Sequence, residues 1–284
     1  MIDSLHPLVS AIITTHNRVD LLKRAISHVL DQTYSNIELI VVDDASTDDT
    51  QEYCEAQEFK YIRIDKSESK GGNHARNLGI ENSHGEYIAF CDDDDYWLPT
   101  KIEKQLQLIQ KTDCKFVYSG RTAEIYNKDK TTLRDLIPDG NYKGDISRKI
   151  LWEIPFITTT LFVERKLLVE IGGFDESLRA WQEYELSIRL AQHSPTDYIS
   201  EPLAVYRVDV KDPNRLTNKY FMWRKSVNNI LIKHKELYNK LRFKEKIKVK
   251  SLIASDAIGR TYASGLIFRW YYNRLLVKIY SFLS

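Results

Sequence analysis

The chain has 284 residues, 43% of them hydrophobic and 29% charged, and its 41 basic and 40 acidic residues leave a net charge of +1. This excludes a disordered chain and a protein that binds a polyanion over its whole surface, so nucleic acid is not an expected partner. The length suits one large α/β domain, or such a domain with an appendage. Cys54, Cys91 and Cys114 show no metal-ligand spacing and fit a reducing cytoplasm. The start "MIDSLHPLVS" has no signal-peptide pattern, and no charge-free run of about 18 apolar residues predicts a membrane span.

In chain order, "LVSAIITT" (8–15) is a continuous β-branched run, as in a strand covered on both faces. Leu21, Leu22, Ala25, Ile26, Val29 and Leu30 then repeat at helical spacing. "IELIVVDD" (37–44) predicts a second buried strand, and "ASTDDTQEYCEAQ" a helix with Ser46 as N-cap. "KYIRID" (60–65) is a short strand, "GGNHARNLGIENSHG" (71–85) a loop running into a helix, and "EYIAFC" (86–91) a fourth strand. A helix at 99–111 opens with Pro99, and "KFVYSGR" (115–121) is a further strand. Residues 122–180 are less regular. "WQEYELSIRLAQH" is a helix with Leu186, Leu190 and Ala191 on one face. From about residue 216 helical patterning and lysines dominate, so residues 216–284 read as a helical appendage to a domain of residues 1–215.

Strand–helix alternation implies a mostly parallel sheet with helices on both faces, which binds ligands beyond the carboxyl ends of its strands. Three predicted strands end there in polar clusters: Thr14, Thr15, His16 and Asn17; Asp43 and Asp44; and Asp92 to Asp95. Each has a plain structural reading. "CDDDDYW" can be a solvated acidic turn, or carboxylates of the kind that Mg²⁺ and Mn²⁺ prefer, with Asp92 and Asp94 sharing the ion. Asp43 and Asp44 can cap a helix, or accept from a ligand N–H. "GGNHARNLG" can be a flexible loop with an exposed Arg76, or a close approach to phosphate with Arg76 as its cation; it matches neither GxGxxG nor GxxxxGK[ST]. Glu183 and Glu185 can be favourable acids at a helix start, or one can be a general base. The seven histidines show no paired spacing, and no Ser-His-Asp set is legible.

Taken together, "VSAIITTHNRVDLLKRAISHVLDQTYSNIELIVVDDASTDDT", "KGGNHARNLGIENSHGEYIAFCDDDDYWLP" and "IGGFDESLRAWQEYEL" resemble the family 2 inverting glycosyltransferases of GT-A fold, bacterial polysaccharide type, over residues 7–208. The resemblance implies a Rossmann-like α/β domain and transfer from a nucleotide sugar, UDP-linked, to a glycan or lipid-linked saccharide. Thr14 and Asp44 would hold the base, with Thr15, Asn17 and Arg18 on the same wall and Arg76 and Asp93 also at the donor. Asp92 and Asp94 would carry Mn²⁺ or Mg²⁺. Glu183 falls where the family has its catalytic Asp, one methylene longer, and Gln182 where it often has Glu. Trp181 and Tyr184 would stack on an acceptor sugar. The alternatives are a nucleotidyltransferase, which would carry a Gly-rich basic loop where this chain has "TTHNR", and a non-catalytic binding module. The C-terminal "LIFRWYYNRLLVKIYSFLS" is amphipathic, aromatic and basic, fitting either the inner face of a cell membrane or a helix packed on the domain or on a second copy in a homodimer.

Overall fold

The structure, a computed structural model, describes residues 6–127, 130–209 and 219–283. Strands β1 (Val9–Thr15), β2 (Ile37–Asp44), β3 (Lys60–Ile64) and β4 (Tyr87–Asp92) are parallel, in the spatial order β3-β2-β1-β4. The chain winds from β1 outward to β3, then crosses to β4 on the other side of β1. The point where strand order reverses lies between β1 and β4, where an open α/β sheet leaves a crevice. Register puts the polar strand ends in line: Thr14 pairs with Val42 and Asp92, and Thr15 with Asp43.

Helices α1 (Val19–Leu30), α2 (Thr50–Glu55) and α3 (Gly72–Glu81) connect these strands. Side chains of a strand alternate between faces, so β1 feeds two cores. Ala11 and Ile13 pack with Leu22, Ala25, Ile26 and Val29 of α1, and with Ile102 and Leu106 of α4 (Lys101–Gln110). Ile12 packs on the other face with Ile40, Val42, Phe90 and α3 residues Ala75 and Ile80. Each fully buried Ile or Leu contributes about 1.5–3 kcal/mol.

Residues 122–180 are more regular than their sequence suggests. After β5 (Tyr96–Trp97), β6 (Phe116–Asn127) continues past the expected 121 and pairs with β7 (Lys130–Leu136); β8 (Leu161–Glu164) lies antiparallel between β4 and β6, followed by α5 (Arg165–Glu170). Helix α6 (Gln182–His193) follows, and β9 (Thr196–Asp209) runs parallel to β6 and antiparallel to β5. This half of the sheet is mixed, and the four-residue β8, paired with distant partners, leaves no periodic run to read. Ser46 is not a helix cap: it accepts the Asn17 N–H, while Asp48 accepts from Thr50 and from Val19 at the start of α1.

The C-terminal helices are α7 (Tyr220–Lys233), α8 (Lys235–Asn239), α9 (Phe243–Ala263) and α10 (Ile267–Leu283). Trp223 and Val227 of α7, Leu241, and Val249 and Ala257 of α9 share one apolar core with Leu186 and Leu190 of α6. The expected division at 215/216 lies outside the described residues. Among the described residues no helix is long and apolar enough to cross a membrane.

Candidate active site

A cavity of about 570 Å³ opens at the carboxyl ends of β1, β2 and β4. Thr14, Thr15, His16, Arg18, Asp44, Arg76, Asp92, Asp93, Asp94, Trp181 and Glu183 line it, so three strand ends and the start of α6 meet there. A second cavity, of about 670 Å³, lies among Leu8, His84, Gly85, Arg165 and Val169, at the strands' other end.

On the β2 side, Asp43 and Asp44 divide the work. Asp43 is fully buried and accepts from Tyr61 at 2.8 Å, from Arg63 at 2.9 Å and from the Ser46 N–H at 2.9 Å, so it braces the turn. Asp44 lines the cavity with Oδ1 buried and unpartnered. A buried acceptor without a donor costs about 1–3 kcal/mol, which a ligand N–H would recover. The Asn17 carboxamide is instead taken by the Thr47 N–H at 2.6 Å, and Asn17 is not among the lining residues.

The four acids after β4 separate by environment. Asp92 and Asp94 are one-third exposed, at 33% and 34%; Asp92 pairs with Arg76 and Asp94 with Arg18 at 3.0 Å, each through one oxygen. Asp93 turns inward to the Thr15 hydroxyl at 2.8 Å and Arg18 at 3.0 Å, and burial pushes its carboxyl up to about 6, with Arg18 opposing. Thr15 therefore braces Asp93. Asp95 is buried beneath and accepts the Arg207 N–H; burial and then Asp94 hold its carboxyl well above the usual range. Burial, then Asp92, also raise Asp94.

Among the described residues no group of three or more His, Cys, Asp or Glu side chains converges on one point. Mg²⁺ and Mn²⁺ need no such cage, being held by one or two carboxylates together with substrate phosphates. Asp92 and Asp94 suit that mode. They crowd each other electrostatically, open on the cavity, and each keep an oxygen that no arginine occupies.

Arg76 is buried, not the exposed loop arginine that was one reading of its segment; its guanidinium lies 5.4 Å from the Phe174 ring. Around it, α3 clamps the segment leading to α6. Asn77 accepts the Phe174 N–H at 2.8 Å and donates to the Phe174 carbonyl at 2.9 Å; Asn73 donates to the carbonyls of Asp175 and Leu178. Gly173 has φ +62°, and a Cβ there would meet Asn77 Oδ1 at 2.5 Å, so only glycine fits. The clamp leads into α6, whose Glu183 lines the same cavity as Asp92. Burial raises the Glu183 carboxyl; Arg76 and Arg260 oppose this and Asp92 adds to it.

Among the described residues three that are not glycine have positive φ: Asn17 (+55°), Ala45 (+63°) and Trp181 (+58°). One follows β1, one follows β2 and one precedes α6. Such strain costs about 1–3 kcal/mol each and clusters at functional sites.

Tyr184 is a correction. It is 2% exposed, and its hydroxyl donates to the Leu151 carbonyl at 2.6 Å, so it supports the core and offers no face to a sugar. Trp181 does line the cavity, edge-on to Tyr184 and Trp223. Glu185 is buried away from the cavity. Tyr206 and Arg207 of β9 and Arg260 of α9 also line the cavity, and the sequence singled out none of them. Arg260 stacks 5.3 Å from the Trp223 ring and pairs with Asp256 at 2.8 Å.

The parallel half-sheet and carboxylate-lined crevice are those of a GT-A fold. The family model for glycosyl transferase family 2 matches residues 10–172, and the chain belongs to that family. It is 37% identical over 213 residues to TuaG of Bacillus subtilis, whose name assigns it to teichuronic acid biosynthesis; the match covers 71% of this chain and 79% of TuaG. It is 41% identical over 114 residues to WfaP of Escherichia coli, named a UDP-Glc:α-D-GlcNAc-diphosphoundecaprenol β-1,3-glucosyltransferase, covering 40% of this chain and 45% of WfaP. The chain spans 29–68% of the length of the Rickettsia glycosyltransferases it also matches. Among solved structures it is similar to residues 1–349 of TarS of Staphylococcus aureus in complex with UDP-GlcNAc, with a TM-score of 0.60 at 14% identity over 96% of this chain and 89% of that one.

Proposed function

We propose that this protein is a metal-dependent inverting glycosyltransferase. It moves a sugar from a UDP-linked donor to a hydroxyl of a glycan or lipid-linked saccharide, for cell-surface polysaccharide, at the cytoplasmic side of the membrane. The observation that carries the reading is the convergence of Glu183, Asp92, Asp94 and Arg76 on one cavity, which is also lined by Asp44 with its Oδ1 buried and unpartnered. Family membership supports the chemistry, and the printed names of TuaG and WfaP support the acceptor class.

Asp44, beside Thr14, accepts from the imide N–H of a uracil ring. Asp92 and Asp94 would hold Mn²⁺ or Mg²⁺, which would supply Lewis-acid stabilisation of the diphosphate. Arg76 fixes Asp92. Glu183 takes the proton of the acceptor hydroxyl as that oxygen bonds to the anomeric carbon. On the opposite face the bond from that carbon to the diphosphate oxygen breaks, and the nucleoside diphosphate leaves with its electron pair. One displacement inverts the configuration and needs no protein nucleophile. The raised Glu183 carboxyl suits a base, since proton transfer is most efficient when the catalytic group titrates near the working pH.

The test is calorimetry with UDP, GDP and their sugars, with and without Mn²⁺, on the wild type and on Asp94→Asn. The expected result is metal-dependent UDP-sugar binding that Asp94→Asn removes. Equal affinity in both proteins overturns the metal assignment, and preference for a purine nucleotide overturns the donor.

A further inference from the structure

Helix α10 is apolar on two sides. Trp270, Asn273, Val277 and Tyr280 turn toward the body of the protein, with Trp270 5.9 Å from Tyr262 of α9. The opposite side carries Phe268, Tyr271, Tyr272, Leu275, Ile279 and Phe282, at i, i+3, i+4, i+7, i+11 and i+14, which forms one continuous stripe. All six are exposed, Phe268 at 93% and Phe282 at 90%. Single exposed apolar residues need no explanation, but six large ones in a row mark a surface that something covers.

The charges say what covers it. At 100° per residue, Arg269 borders the stripe on one side and Arg274 and Lys278 on the other, all three exposed. No Asp or Glu follows Asp256. Arg269 donates to the Tyr220 hydroxyl and Arg274 stacks on Trp270 at 4.7 Å, so the near partners of both are aromatic. A second copy docked by two-fold symmetry on this face would bring like charges together along both rims. An anionic bilayer does the reverse. It takes the aromatic stripe into its interfacial layer while the long cationic side chains reach its phosphates.

We infer that the outer face of α10 is a docking surface for an anionic phospholipid membrane, with the Phe268–Phe282 stripe inserted among the acyl chains and Arg269, Arg274 and Lys278 on the headgroups. The inference builds on the lipid-linked acceptor reading, because such an acceptor is itself held in a membrane. Its test uses neither donor nor acceptor, so it can fail while transfer to a soluble acceptor stands.

The full chain is sedimented with phosphatidylcholine vesicles, with and without added phosphatidylglycerol. The expected result is binding to the anionic vesicles and weak binding to the neutral ones. Phe268→Ser with Phe282→Ser should weaken it at least about tenfold with thermal unfolding unchanged, because both side chains already face solvent. Arg274→Gln with Lys278→Gln should weaken it about 25-fold, roughly fivefold per cation. Failure of the wild type to sediment with anionic vesicles overturns the inference, as does equal binding by either double variant. A wild-type dimer in light scattering that Phe268→Ser with Phe282→Ser converts to monomer would assign the face to a second copy.

Discussion

Two carboxylates two residues apart on α6 occupy opposite kinds of ground. Glu185 is 0% exposed and faces the junction of α6 with α7, where Arg189 holds it through a fork at 2.6 and 2.9 Å and Lys233 and His234 reach it at 2.9 and 3.0 Å. Burial alone would raise its carboxyl, but the bonds from His234, Arg189 and Lys233 outweigh burial and hold it at about 2. Glu183 faces the crevice; burial there raises its carboxyl, and Arg76 only partly offsets this. The fold compensates the burial of one acid in full and of the other only in part. A partly compensated charge on a cavity wall is available to a substrate proton; a charge saturated by its own protein is a strut.

The largest effect expected from this contrast is on turnover. Glu183→Gln should lower the transfer rate by about 10³-fold, roughly 4 kcal/mol of barrier, while UDP affinity and folding stability at neutral pH are kept or improved. Near-normal transfer, or a large drop in melting temperature, would break the contrast. Next is stability. Glu185→Gln should cost about 3 kcal/mol of unfolding free energy, because Arg189 loses its counter-charge and Lys233 keeps only Asp175, with turnover of the folded fraction retained. The same strut predicts the acid limb. With the folded carboxyl depressed to about 2, its stabilisation is complete above the ordinary value of 4.5 and is lost as pH falls from there through about 2. Urea titrations across that window should show a flatter limb in Glu185→Gln; a parallel one removes the explanation. On the β2 side of the cavity, where the nucleotide is proposed to bind, Asp44→Asn should weaken UDP about tenfold in calorimetry. The smallest effect is at Arg260, which opposes the rise of the Glu183 carboxyl. Arg260→Gln should move the acid limb of kcat/KM to higher pH, with Arg260→Lys restoring it; a loss of activity uniform across pH would make Arg260 only a packing residue.

Much of the cavity lining is legible in the sequence because it is local. Each polar cluster directly follows its apolar strand, so identifying the strand places the cluster, and Thr14, Asp44, Asp92 and Glu183 do line one cavity. What the sequence hides is set by rotation and by distance. Adjacency cannot say which side of α6 meets the crevice, so Tyr184 reads as an acceptor platform until the helix is placed and its hydroxyl is found in the core. Asp93 and Thr15 look like ligand contacts because nothing in the sequence reveals that they bond each other. Arg207 reaches the acidic turn through a bond to Asp95, 112 residues away, and Arg260 through the packing of α9 on the shared core. No local pattern encodes either.

The asparagine clamp has a consequence in time. Asn73 and Asn77 hold partners 97–105 residues further along the chain. At a synthesis rate of about 5–20 residues per second, α3 leaves the ribosome roughly 5–20 s before the segment it clamps. Arg76 has Asp92 only 16 residues away and is paired early. The nascent chain can thus complete the wall proposed to hold the nucleotide first, and acquire the carboxylate that would use it only when the second half docks.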